Sequence, residues 1–590
     1  MDFLPTTKEE MRRLDWKALD VVLVSGDAYI DAPQIGVAVI GKVLVDAGYR
    51  VGIIAQPDPG SPDDITRLGE PRLFWGVTAG SVDSMVANYT ALQKKRRADD
   101  YTPGGKNTRR PDRAVIAYSN LVRRHFRNTV PIVLGGLEAS LRRIAHYDYW
   151  SDSVRRSVLF DAKADLLVYG MGEATVRALA DALAQGGDAD ALPGTCTIVK
   201  TPPDRYLRLP SYEEVKSDTT AFLRMYRAFY DNTDPVTAQG LAQAHGDRWL
   251  LQHPPPPYET QEQLDRVHAL RFARAAHPAY AQRSAQADAG AAGQADAGGL
   301  PALDTIRFSI QTHRGCYGEC NFCAIAVHEG RRVRWRSEQS ILDEAAGFAA
   351  HPAFKGVIPD VGGPTANMYG FECAKKIERG ACTDKRCVFP ELCRQLPVDH
   401  GRYTRLLRKL RALPGIRHVF VASGIRHDMV MADRRCGMEF MEELVRHHVS
   451  GQLKLAPEHS DPAVLDLMGK GGSGDLLDFR ARFFALTRKA GKKQFLTYYF
   501  IAAYPGSEEK HMRSLQHFAA HALAISPEQV QIFTPTPGTW ASVMYHTGKN
   551  PFTGEDLFVE KGLRGKRAQK EILTGNAGRP RPSSRQGRSR

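Results

Sequence analysis

Three cysteines stand out for their spacing. Cys316, Cys320 and Cys323 lie in Gln311-Thr-His-Arg-Gly-Cys-Tyr-Gly-Glu-Cys-Asn-Phe-Cys-Ala324, at C-x3-C-x2-C intervals just after an apolar, strand-like run. Thiolates are the usual ligands of iron–sulfur clusters, and a cubane normally takes four. Three local cysteines leave one iron open to a substrate or cofactor. Two other readings compete. Structural zinc would need a fourth ligand, and His313 or His328 is near in sequence. A plain electron-transfer cluster would usually show C-x2-C-x2-C. The observed spacing, with Phe322 before the last cysteine, favours the open cluster.

A second group follows: Cys373, Cys382, Cys387 and Cys393, spaced x8, x4 and x5 in a polar stretch. Four thiolates bind zinc or an auxiliary iron–sulfur cluster. The alternative is packed or free thiols. A second metal or cluster is preferred, because packing alone poorly explains four cysteines so close together. Cys196 and Cys436 are solitary and read as packing residues. Eight of the nine cysteines lie between 316 and 436. Such clustering in a long chain argues for metal or redox chemistry over disulfides.

The elements that must position these residues are strands alternating with helices. Over 1–204, apolar runs at Asp20–Ser25, Arg50–Ala55, Leu73–Val77, Val130–Leu134 and Leu166–Tyr169 alternate with helical spacing, and several end in glycine (Gly26, Gly135-Gly136, Gly170). This predicts an α/β, doubly wound parallel sheet with a ligand crevice at the C-terminal strand ends. Residues 205–300 read as a helical segment ending in an Ala/Gly-rich linker over 284–299. Residues 301–560 resume the alternation, with six β/α units and the Cys-rich insert 373–393. Six units predict a partial (β/α)6 barrel with its site at the C-terminal strand ends. Ile306, Phe308 and Ile310 alternate with polar residues and predict the first barrel strand.

The net charge of +14 is uneven: residues 561–590 hold ten Lys or Arg against one Glu. They read as a basic disordered tail, either merely solvated or in contact with RNA phosphates. Residues 1–20 mix acids and bases, unlike a signal peptide. No apolar run reaches the roughly 18–20 residues that span a bilayer. The chain is expected to be cytoplasmic, with no membrane partner.

Cys316-x3-Cys320-x-Phe322-Cys323 after a first barrel strand resembles the signature of radical S-adenosylmethionine (SAM) enzymes. The order of the Gly135-Gly136 domain, this motif, Gly362-Gly-Pro-Thr-Ala-Asn-Met-Tyr-Gly370 and the later cysteines resembles the YgiQ-type family within them. The resemblance implies that a 4Fe-4S cluster on Cys316, Cys320 and Cys323 reductively cleaves SAM to a 5′-deoxyadenosyl radical that acts on an unassigned substrate. It implies SAM contacts from Phe322, Gly362, Gly363, Lys454 and Glu458. Pro364 stands where a Glu is common, which limits that turn to backbone contacts. It also implies a reductase or flavodoxin-type electron donor. Ile501-Ala-Ala-Tyr-Pro-Gly-Ser-Glu508 and Gln531-Ile-Phe-Thr-Pro-Thr-Pro-Gly-Thr539 are similar to strand ends in methylthiotransferase-like members, which gives RNA modification as an alternative. The N-terminal sheet is similar to cobalamin-binding domains, but the Asp-x-His-x-x-Gly motif is absent, so cobalamin stays open. A non-enzymatic zinc protein is the remaining rival. The catalytic residue is not readable.

Overall fold

The computed structural model describes residues 2–187, 189–280, 299–528 and 530–575. Most of the Ala/Gly-rich linker and the last fifteen residues of the basic tail lie outside the described residues.

The N-terminal half is built on a nine-stranded sheet. Five parallel strands form one side of it, in the spatial order Val51–Ala55 (the edge), Val21–Ser25, Phe74–Thr78, Ile132–Leu134, Leu166–Val168. Val21–Ser25 is buried along its whole length, as a strand covered on both faces requires, and its sequence is correspondingly apolar throughout. The strand order reverses between Val21–Ser25 and Phe74–Thr78, where the Gly26 N–H donates to Thr78 O at 3.1 Å. Ligand crevices in open α/β sheets form at such a point.

Four further strands extend the sheet beyond Leu166–Val168, and three of them fall in a region read from sequence as helical. Thr195–Val199 pairs antiparallel with Arg248–Gln252, which forms a hairpin with Leu241–His245, and Leu207–Leu209 closes the edge. The reading of 205–300 as a helical segment and linker is corrected accordingly. Helices are present there, notably Thr219–Asp231, but the hairpin turn Gly246-Asp247, with Gly246 at φ +65°, fixes two strands between them.

The C-terminal half is an arc of six parallel strand positions. Ile310–Gln311 pairs with Val361–Gly362, Val357–Ile358 with His418–Val419, and Gln452–Glu458 with Phe495–Ala502, which pairs in turn with Val530–Ile532. A bridge between Ile425 and Leu455 joins the two halves of the arc. Helices cover its convex side. Ile341, Leu406, Phe440, Phe483 and Leu515 from those helices pack on Val361, Val419, Leu455 and Phe500 from the strands. The first strand is shorter than the alternation from Ile306 predicts: Ala302–Ile306 is helical, and pairing starts at Ile310.

The reading of 561–590 as a disordered tail is corrected over its described residues, 561–575. Leu563–Leu573 is a helix that buries Ile572 and Leu573 against the barrel. Trp540–Thr547 leaves the barrel and packs into the core of the N-terminal half. Among the described residues no helix is long and apolar enough to cross a membrane.

The two halves face each other through the C-terminal ends of their strands. Arg314 donates to Glu173 at 2.6 Å, and Gln34 Nε2 donates to Ser309 O at 2.7 Å. Between them lies a cavity of about 530 Å³.

Candidate active site

The loop from Gly315 to Val333 leaves the first barrel strand and returns as Arg334–Trp335, which pairs with His313–Arg314. Gly315 turns at φ +85°, where an added Cβ would sit 2.2 Å from Arg332 O, so only glycine closes this loop. The loop is pinned from several sides. The Gly315 N–H donates to Glu329 at 2.9 Å, Asn321 Nδ2 to Leu467 O at 2.8 Å, and the Ala541 N–H to Asn321 O at 2.8 Å.

Cys316, Cys320 and Cys323 converge inside it. A point one bond from Gly318 Cα lies 3.2 Å from Cys316 Sγ and 3.5 Å from Cys320 Sγ, and the Gly318 N–H points at Cys316 Sγ from 3.3 Å. Burial and mutual repulsion push the Cys316 and Cys323 thiols up. A metal bound here would displace those protons. Among the described residues, the one trio of His, Cys, Asp or Glu ligand atoms within 4.8 Å of one another is Asp399, Asp433 and Cys436. The three cysteines are thus set wider than the ligands of a single zinc ion, with its bonds of about 2.3 Å. Of the two histidines weighed as a fourth zinc ligand, His313 pairs through Nδ1 with the Thr312 hydroxyl at 2.8 Å and lays its ring against Gly363, and His328 lines the interdomain cavity. The donor set therefore fits a cubane with one open iron better than it fits zinc.

The other expected contact residues are placed unevenly around this loop. Phe322 is half-buried, edge-on to Tyr504 at 6.4 Å. Gly362 and Gly363 end the second strand beside the loop. A Cβ on Gly363 would meet the His313 ring at 2.6 Å, and one on Gly362 would meet Ser423 at 3.3 Å. Glu458 is buried at the end of its strand with φ +69°, a strained backbone for a non-glycine residue, and its charge reaches Cys323. Burial pushes its carboxyl up, against Lys470 at 3.7 Å. Lys454 is exposed, on the opposite strand face from buried Leu453 and Leu455, and so turns toward the concave side of the arc.

One residue was missed by sequence reasoning. Arg426 follows the third strand position, pairs with Asp428 through Nε at 3.0 Å, and brings its positive charge to Cys316 and Cys320. Asn367 clasps its backbone, accepting the Arg426 N–H at 2.9 Å and donating to Arg426 O at 3.0 Å.

The interdomain cavity opens directly beside this site. Its far wall is Gly135, Gly136 and Gly170 from the N-terminal sheet; its near wall is Gln311, Gly362 and Gly363 from the barrel. Among the described residues, several buried polar atoms of lining residues have no partner: Gln34 Oε1, Ser81 Oγ, Glu173 Oε2, Arg314 Nε and His328 Nδ1. Buried polar atoms are rarely left unpaired without a ligand or water to meet them.

Comparison with known proteins agrees with this geometry. Residues 3–291 match the family described as Radical SAM N-terminal, residues 310–519 the Radical SAM superfamily, and residues 528–575 a domain of unknown function, DUF3362. A UPF0313 protein of Fusobacterium nucleatum is 51% identical over 97% of this chain and 99% of its own length. A UPF0313 protein of Thermotoga maritima is 48% identical over 96% and 98%. Among solved structures, the radical SAM methyltransferase TsrM from Kitasatospora setae, solved with cobalamin and a [4Fe-4S] cluster bound, is similar over 90% of this chain and 78% of its own, with a TM-score of 0.50 and 17% identity. At that identity the likeness is one of fold.

Proposed function

The chain belongs to the radical SAM superfamily, in the UPF0313 (YgiQ-type) family, and from that premise we propose that it is an enzyme holding a 4Fe-4S cluster on Cys316, Cys320 and Cys323. The observation that carries the reading is the convergence of three half-buried thiols, with one loop supplying all of them, at the strand ends of a partial barrel. When bound, the cluster supplies an electron to SAM, which splits into methionine and a 5′-deoxyadenosyl radical.

The chain's own residues orient the cofactor and exclude water. The backbone of Phe322 would meet adenine, and that of Gly363, next to the Gly362 carbonyl that already accepts the Thr312 N–H at 2.7 Å, the SAM amino group. Arg426 offers a cation to the SAM carboxylate, and Glu458 an acceptor to its ribose or ammonium. Lys454, exposed in the arc, is the weakest of these contacts.

The interdomain cavity takes the second ligand. TsrM was solved with cobalamin bound, and a corrinoid matches this cavity's chemistry. The unpaired groups are a mixture of donors and acceptors, suited to a periphery of neutral amides, and the wall carries apolar Val37, Val133 and Val176 for a planar face.

The test is anaerobic reconstitution with iron and sulfide, addition of SAM and dithionite, and assay for 5′-deoxyadenosine, with Cys316→Ala, Cys320→Ala, Cys323→Ala as control. Product from the wild type alone is expected; equal product from the control ends the proposal. A second arm uses Gly135→Val. Gly135 has φ −154° and open space around its Cβ, so valine fills the cavity without strain. It should abolish the visible spectrum of added hydroxocobalamin on the protein and spare SAM cleavage. If the wild type takes up no cobalamin, the cavity is a substrate site instead.

A further inference from the structure

We infer that the cysteine-rich segment holds a second iron–sulfur cluster, on Cys373, Cys382, Cys387 and Cys393, directly behind the first. From 381 to 399 the backbone forms neither helix nor strand. A long irregular segment inside a compact domain usually carries a function. This one has little of its own to hold it. Its internal backbone bonds are few, among them the Cys393 N–H to Cys387 O at 2.8 Å and the Leu396 N–H to Cys393 O at 2.9 Å. Its buried apolar side chains, Val388 and Leu396, join only a small cluster. Segments so poorly provided with core and secondary structure are commonly stapled by a metal.

The placement of three of the four thiols fits that staple, and Cys382 is assigned with them from its position in the same segment. Cys373 and Cys387 pack into one cluster around Tyr317, the residue next to Cys316, and the backbone bond draws Cys393 to Cys387. Lys376, 2% exposed, lies 5.1 Å over the Tyr317 ring, donates to Arg331 O at 3.0 Å and stands 3.8 Å from Glu372. Its charge also reaches Cys387, so the ammonium, shared with Glu372, offsets part of the charge of a thiolate-ligated cluster. All four cysteines are free, and among the described residues no three of their sulfurs lie within 4.8 Å of one another, wider than the roughly 3.8 Å between sulfurs on one tetrahedral zinc. The segment also grips the first loop: Arg386 donates to Glu319 O at 3.0 Å and to Asn321 Oδ1 at 2.7 Å. A cluster here is therefore one side chain, Tyr317, away from the Cys316 site, on a route for electrons from a one-electron protein donor.

The decisive sample is the full chain carrying Cys316→Ala, Cys320→Ala and Cys323→Ala, reconstituted anaerobically with iron and sulfide. It should keep about four irons and four sulfides per chain, against about eight in the wild type, and give an electron paramagnetic resonance signal on reduction. Adding Cys382→Ser and Cys393→Ser should remove that iron. A folded triad variant without iron, a stoichiometric zinc in its place, or iron that survives the two further substitutions would each overturn the assignment. Retained iron in the triad variant with no SAM cleavage by the wild type would leave this cluster standing while the radical SAM reading fell.

Discussion

Arg426 carries more of the site's electrostatics than any residue picked out by pattern. Its guanidinium is buried beside two of the three cluster thiols and is balanced by Asp428, whose carboxyl it holds well below the usual range. Arg426→Gln removes the cation and leaves Asp428 unpaired. It is expected to cost about 1–3 kcal/mol in stability, to leave iron content unchanged, and to lower SAM cleavage at least tenfold with a raised KM for SAM. The pair Arg426→Leu, Asp428→Leu should recover the stability without the activity. Full activity in Arg426→Gln would remove Arg426 from the site. The sequence could not single it out. One arginine among 80 basic residues has no local signal, and its role arises from Asn367 and the strand end that aim it. Cys316, Cys320 and Cys323 were legible because their chemistry is written in local spacing. Glu458 lies between these cases: its strand end was readable, but its positive φ and its burial were not.

At the scale of elements, the parallel strands were legible wherever a fully buried run ended in glycine. The hairpin of Leu241–His245 and Arg248–Gln252 was missed although Gly246-Asp247 is a hairpin turn signal, because its flanking residues mix Gln, His and Arg with the apolar ones. The helix Leu563–Leu573 was missed because its charge hid its apolar stripe. Lys566 is fully buried, donating to the Tyr149 hydroxyl at 2.9 Å and the Tyr545 hydroxyl at 2.8 Å. Gln569 accepts the Ala503 N–H at 3.0 Å, bracing the turn after the fifth strand. Ile572 and Leu573 each contribute about 1.5–3 kcal/mol by burial. Removing residues 576–590 should leave the melting temperature unchanged, whereas removing 561–590 should lower it by several degrees and reduce iron retention. Equal melting curves for the two truncations would show that the helix stabilises nothing. The same pair of truncations separates any RNA affinity of the last fifteen residues from that of the helix.

The whole molecule is organised around two sets of strand ends that meet, and both halves bury histidines, of which His328 lines the junction itself. Burial lowers His146, His313, His328, His427, His459 and His546 to about 4 and His245 to about 3, and takes His268 well below its ordinary value. These eight groups lie in both halves, so acid acts on the molecule as a unit. The sign follows from which state binds protons. Above pH 6.5 neither the folded nor the unfolded chain protonates them, and their contribution to stability is complete. Below 6.5 the unfolded chain takes up protons that the folded chain refuses, and stability is lost progressively until the folded values near 4 are reached. Each such histidine then costs about 1.4 kcal/mol per pH unit. Carboxylates held low, such as Glu443 at about 2, add their loss only below the ordinary carboxylate range. Between pH 6 and 5 the decline therefore belongs to histidine, partly offset by Asp27, whose carboxyl burial pushes up to about 6 and which gains its proton in the folded chain there. Calorimetric unfolding at pH 5.5 in buffers of different ionisation enthalpy should register the uptake of several protons, with a melting temperature well below that at pH 7.5. Uptake of one proton or none would mean that these rings are already charged or solvated in the folded chain, and that both halves are wetter and looser inside than their packing implies.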